Sequence, residues 1–307
     1  MTLVITTCTN RKRKPVPEAL RMADLPPAEV DDLARQWSQR LAAEPTRFLA
    51  KDIYGGRGFR EASTAAELLD SRLLVVSAGL GLIDVSTAVP PYACTVLVDT
   101  PDSVRSRVIG AFSVECWWER LCKASPFAIA LDEAIQDAHG LVCAALSDAY
   151  IEMISEDLLA LPTSILGRLR LFTRARLDRI PAAIQPLVMP YDDRLDGPDS
   201  SNRGTRSDFA GRALRHFAEL IRDELQGRSA AEHAAVVSTI MSGWRMPTKV
   251  DRIRHSDAVL LDLIRAHWDA ERGSTSRLLR RFRDDLGVAC EQRRFSELAR
   301  QVRSERA

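Results

Sequence analysis

Short apolar runs, each bounded by turn residues and separated by longer amphipathic stretches, constrain this chain more than any other feature. Leu3 to Thr7, Leu73 to Ser77, Leu141 to Leu146, Leu169 to Thr173 and Leu187 to Met189 are such runs, rich in Val, Ile and Leu. Between them lie stretches with helical spacing, including Ala28 to Ala43, Val114 to Ala138 and Asp148 to Leu161. Strands that are apolar on both faces must be covered on both faces. The alternation therefore predicts an α/β fold with a mostly parallel sheet covered by helices. In such sheets ligands bind beyond the carboxyl ends of the strands.

Tyr191 to Arg206 is rich in Asp, Gly, Ser and Asn and reads as a long loop. A helix follows from about Asp208 to Glu224, with Phe209, Ala213, Phe217, Leu220 and Ile221 on one face. Gln226-Gly227-Arg228-Ser229 then reads as a stop and a new N-cap. This places a boundary between an α/β domain, 1–226, and an all-helical domain, 227–307. In the latter, Gly273-Ser274-Thr275-Ser276 caps a helix bearing Leu278, Leu279, Phe282 and Leu286, Gly287 ends it, and another helix runs from about Ala289 to Val302.

The 307 residues carry a net charge of +1, which hides an asymmetry. From Arg228 onward there are 16 Lys and Arg against 11 Asp and Glu, and the remainder holds 27 against 31. An acidic body with a basic tail suggests a polyanionic partner for the tail. No run of eighteen apolar residues exists, and the first residues lack the charged lead-in of a signal peptide, so a cytoplasmic protein is expected. The six cysteines form no CxxC pair, and the five histidines show no ligand spacing. Neither disulfides, a metal nor a cofactor is expected.

Polar residues gather where the strands end. The first run passes into Cys8-Thr9-Asn10 and then four consecutive cations, Arg11 to Lys14, which a solvated basic turn would equally explain. The second ends in Ser77-Ala78-Gly79-Leu80-Gly81-Leu82-Ile83-Asp84. Gly79 and Gly81 would let a ligand approach the backbone amides, although an ordinary tight turn has the same spacing. Asp84 is the nearest carboxylate, either a general base or a cap. Asp52, Tyr54 and Tyr92 place a carboxylate and two aromatic rings beside turn residues, where rings can stack on a base or simply pack.

Taken in order, Cys8-Thr9-Asn10-Arg11-Lys12, Asp52-Ile53-Tyr54, Ser77-Ala78-Gly79-Leu80-Gly81-Leu82-Ile83, Pro91-Tyr92, and Leu146-Ser147 with Tyr150 resemble the DUF6884/YaaA-like α/β domain family. That family's pattern is a strand with SCGKKK, an LY, a SAKxGL turn and a PY. The chain departs from it at Thr9-Asn10 and Gly79-Leu80, and the resemblance covers about the first half. It implies nucleic-acid base processing, with Cys8, Thr9, Lys12, Asp52, Tyr54, Ser77, Gly79, Gly81, Tyr92, Ser147 and Tyr150 around a base pocket. Asn10 is similar to the polar residues that follow the first strand in uracil-DNA-glycosylase-like sheets. Glycosidic cleavage needs a positioned water and a counter-charge for an oxocarbenium-like state, roles that Asn10 and Asp84 fill if their strand ends are neighbours. The expectation is a DNA glycosylase acting on a modified base, such as a hypermodified cytosine of phage DNA, in bacterial antiviral defence. A non-catalytic DNA-binding stress protein and a nucleoside or nucleotide hydrolase or transferase are the alternatives.

Arg206 lies before a helix start, where it can reach a phosphate, with Asp208 as the cap. Lys249 sits in a loop with Trp244, which either inserts into a duplex or packs. In the tail, Arg277, Arg280, Arg281 and Arg283 crowd one helix, followed by Arg293 and Arg294 on the next. Their spacing makes an outward basic face suited to a phosphate backbone, diluted by Asp284, Asp285, Glu291 and Glu297. Double-stranded DNA is the expected partner.

Overall fold

Four of the five apolar runs become neighbouring strands. The computed structural model describes residues 2–136, 138–223, 227–248 and 251–306. In chain order its first unit holds β1 (Leu3–Thr7), α1 (Val30–Ala43), β2 (Phe48–Leu49), α2 (Ala50–Ile53), α3 (Arg57–Leu68), β3 (Arg72–Ser77), β4 (Gly81–Asp84) and β5 (Ala88–Val89). There follow α4 (Val114–Ala124), α5 (Leu131–Gln136), β6 (Val142–Ala145), α6 (Asp148–Met153), α7 (Ser155–Leu159), α8 (Thr163–Leu166), β7 (Leu169–Phe172), α9 (Phe209–Ile221) and α10 (Ala230–Ser242).

The central sheet has the order β4-β3-β1-β6-β7. β1 pairs in parallel with both β3 and β6, and β6 with β7, while β4 alone runs antiparallel, against β3. Leu3, Val4 and Ile5 in the middle strand are buried on both faces. The helices that flank the sheet include two packed pairs, α3 with α9 and α1 with α4. The chain begins in the centre, builds outward through β3, and then crosses to β6. That reversal at β1 opens crevices at the strand ends.

Two expectations for the first unit need correction. Leu187 to Met189 is no strand: it makes one parallel bridge, Leu171 with Val188, and Gln185–Leu187 is a 3₁₀ turn. Pro186 and Pro190 bracket it, and neither can donate to a ladder. The break between units falls between Pro247 and Thr248, rather than between 226 and 227. Gln226 itself lies outside the described residues. Ser229 does cap α10, with Glu232 closing a capping box. That helix nevertheless packs on the first core through Val237 and Met241, and its buried His233 accepts from Arg170 of β7 at 2.8 Å. Trp244 lies on His216, with ring centroids 5.1 Å apart.

The second unit holds β8 (Ile253–Arg254), α11 (Asp257–His267), α12 (Thr275–Asp284), β9 (Val288–Ala289) and α13 (Gln292–Glu305). It has its own core, including Leu260, Ile264, Leu278, Phe282, Phe295 and Val302. It is not all-helical: β8 and β9 form a parallel pair, and Ala289 is a strand residue rather than a helix start. No helix among the described residues is long and apolar enough to cross a membrane.

Candidate active site at the strand ends

The segment after β1 is built by alternation. Arg11 to Arg13 pairs with Ile53 to Gly55 through Arg13 N–H to Ile53 O and Gly55 N–H to Arg11 O, both 2.8 Å, with a bridge from Lys12 to Tyr54. Extended backbone sends successive side chains to opposite sides. Arg11 and Arg13 are exposed, while the Lys12 side chain turns inward. The solvated-turn description thus fits two of these cations and not Lys12.

The Lys12 ammonium donates to Thr9 O and stands over two buried rings, 5.2 Å from the centroid of Tyr54 and 4.5 Å from that of Tyr92. Beneath it runs a hydroxyl chain: Tyr54 to Tyr92 at 3.0 Å, and Tyr92 to Ser77 at 2.5 Å. Cys8 Sγ meets the Tyr150 hydroxyl at 3.0 Å, and Thr9 Oγ1 donates to Gly55 O at 2.6 Å. Cys8 and Thr9 after β1, Ser77 at the end of β3, and Tyr150 in α6 are therefore brought near Tyr54 and Tyr92.

Burial decides the protonation chemistry. It holds the Lys12 amine below its ordinary pKa, against the pull of Cys8, Cys94 and Asp102. Burial first, and Cys8 second, push Tyr92 and Tyr150 well above the usual phenol range, so both stay neutral. The Cys94 thiol is raised by the same two causes. What results is a neutral hydroxyl network under one poised amine.

A cavity of about 280 Å³ opens above this amine. Asn10, Lys12 and Asp102 are its charged and amide-bearing lining residues, with Cys94, Thr95 and Thr100 beside them. That volume is just below the range usual for ligand pockets, and its few convergent polar groups match what such pockets use to fix orientation. Asp102 escaped the sequence reading because the loop that carries it has neither a strand's nor a helix's periodicity.

The glycine turn serves another purpose than the one expected. Ser77 Oγ accepts from the amides of Gly79 and Leu80, at 3.2 and 3.0 Å, so neither amide is left for a ligand. Trp37 and Trp117 donate their indole N–H groups to Gly79 O and Ala78 O, at 2.7 and 2.8 Å. A Cβ on Gly79 would lie 2.6 Å from the Tyr92 ring, and one on Gly81, where φ is +82°, would lie 2.7 Å from Ala128. The glycines let Tyr92 and Ala128 close in.

Asp84 is corrected outright. Ser77 pairs with Gly81, but Asp84 pairs with Leu74, three residues back along β3 and so roughly 10 Å from the strand end. Its carboxylate accepts from Arg72 Nε at 2.5 Å and from Ser86 N and Oγ at 2.8 and 2.6 Å. Asp84 lines a separate groove with Asp52, Lys51 and Arg72, so Asp52 leaves the site with it. Ser147 precedes α6, exposed and making no cap bond. It is not among the cavity's lining residues.

Arg206 begins the 3₁₀ turn before α9, while Asp208 accepts from Thr205 N at 2.8 Å and Arg212 Nε at 2.6 Å, a capping role. Lys249 lies outside the described residues. In the second unit the expected face is partly neutralised: Arg281 pairs with Glu271 at 3.0 Å and Arg277 donates to Glu271 O. Arg293 pairs with Glu297, and Arg294 with Asp257. Arg283 donates to Cys290 O, and Arg280 is exposed.

No protein-family profile, no curated protein and no solved structure matches the chain.

Proposed function

We propose that the first unit is a DNA glycosylase, which hydrolyses an N-glycosidic bond with the base held in the cavity above Lys12. The observation that carries this reading is the convergence of Asn10, Lys12 and Asp102 on one small cavity at the carboxyl end of the sheet. Cleavage develops positive charge on the sugar and negative charge on the departing base. A carboxylate and a cation facing the same space answer both. Asp102 faces the sugar, where it opposes the oxocarbenium charge and takes a proton from the attacking water. Lys12 faces the base and neutralises it as it leaves. Asn10 offers a donor and an acceptor to the base edge.

A base inside a duplex cannot reach such a cavity, so the target nucleotide must be flipped out of the stack. The basic second unit then supplies phosphate contacts. A modified base, hypermodified cytosine of phage DNA in particular, is the substrate suggested by the resemblance to base-processing domains, and antiviral defence is the corresponding role. Incubation with modified and unmodified duplex, followed by mass analysis of the small-molecule fraction, tests the reading. Free base with an abasic strand is expected; intact DNA in every arm overturns it.

A further inference from the structure

In the second unit, Arg252, Arg254, Arg283 and Arg294 line a cavity of about 390 Å³, together with Ala289, Cys290 and Glu291. They come from three places: the β8 strand and the residue before it, the end of α12, and the first turn of α13. Residues two apart on a strand share a side, so Arg252 and Arg254 face the cavity and Ile253 does not. Backbone carbonyls hold three of the guanidiniums in place. Arg252 Nε donates to Arg283 O at 2.9 Å, Arg283 Nη2 to Cys290 O at 2.8 Å, and Arg294 Nη2 to His255 O at 3.0 Å.

The charges do not balance. Asp284 reaches Arg252 only at 3.5 Å, Asp257 pairs with Arg294 at 2.7 Å, and Glu291 is in the lining. Three carboxylates, one of them in the lining, accompany four lining guanidiniums, and the Arg254 side chain makes no ion pair or hydrogen bond among the described residues. Glu291, the N-cap of α13, makes no side-chain cap bond, so the positive end of that helix adds to the excess.

We propose that this cavity is a phosphodiester site, in which the forked guanidiniums of Arg254 and Arg283 take the non-bridging oxygens of a nucleic-acid backbone. It rests on the reading of this unit as a nucleic-acid contact, and not on the glycosidic chemistry. It also moves the principal contact away from the Arg277/Arg281 face, where Glu271 pairs with Arg281 and its carbonyl holds Arg277.

The test uses the full chain, a labelled unmodified duplex, and affinity measured across a salt series. Arg254→Ala removes an exposed side chain without a structural partner, so the melting temperature should hold. The slope of log affinity against log salt should shrink by about 0.9, the amount for one lost phosphate contact. Arg280→Ala, an exposed arginine outside the cavity, is the comparison. An unchanged slope for Arg254→Ala, or an equal loss for Arg280→Ala, overturns the proposal. Inorganic phosphate separates the sources: if it stabilises the parent but not Arg254→Ala, while duplex affinity is the same in both, the site takes free phosphate and the proposal fails. A parent chain with no salt-dependent duplex binding removes the nucleic-acid reading itself, and the proposal with it.

Discussion

The Lys12 ammonium lies 4.5 Å from the centroid of the Tyr92 ring, whose hydroxyl Ser77 Oγ holds at 2.5 Å. Ring and ammonium attract each other, by about 2 kcal/mol when desolvated. Burial opposes this by disfavouring the charged amine. The native state therefore binds the Lys12 proton less tightly than the unfolded chain does, and stability should rise as pH climbs toward the ordinary lysine range. As pH rises toward about 10.4, the ordinary lysine value, the parent should gain stability relative to Lys12→Met in denaturant titrations. The same variant should lose base release by about a hundredfold or more, the scale for removing one preorganised charge-stabilising group. Equal pH profiles with full activity would show the amine to be a bystander.

Gly79→Ala tests the seat of that ring. The added methyl would sit 2.6 Å from Tyr92 and 2.9 Å from Cys94 Cβ, both buried and hemmed in. Overpacking of this kind costs about 1–3 kcal/mol. A lower midpoint on thermal unfolding is expected, with a loss of activity at temperatures where the variant is still folded. A variant as stable and active as the parent would mean that the turn has room to move.

Asp84→Asn separates a structural carboxylate from a catalytic one. Burial alone would raise the Asp84 carboxyl, but hydrogen bonds from Ser86 and Arg72 outweigh it and hold the group below its usual range. Its contribution is present above the usual carboxylate pKa and is lost as pH falls through the depressed native value. The pair is part-exposed, so the cost at neutral pH should be at most about 1 kcal/mol. Urea midpoints of parent and variant should converge under acid conditions, and base release should be unchanged. A hundredfold loss of activity would return Asp84 to the catalytic site.

The mistaken expectation for Asp84 shows where periodicity stops. An apolar run followed by small polar residues announces a strand end, and Cys8 and Ser77 are legible for that reason. Tyr54 and Tyr92 were legible as aromatics beside turns. Strand direction is another matter: Ser77 to Leu80 folds into a turn that sends β4 back along β3, and alternation looks the same either way. Asp102 was hidden by its irregular loop, and Arg252 and Arg254 by the 31 and 40 positions between them and their cavity partners Arg283 and Arg294. Ser229 is legible as a cap and is one, but a helix start does not say which core the helix joins.

The central claim is that Asn10 and Asp102 act on a base bound above Lys12, and mass analysis of bases released from modified duplex measures it most directly. The parent should release free base, and Asn10→Ala and Asp102→Asn should each release it at least about a hundredfold more slowly, the lower range for acid–base catalysis. Both variants should keep the parent's duplex affinity if, as proposed, the phosphate contacts lie in the second unit. Full release by both variants, or no base released by the parent from any duplex, would contradict the account.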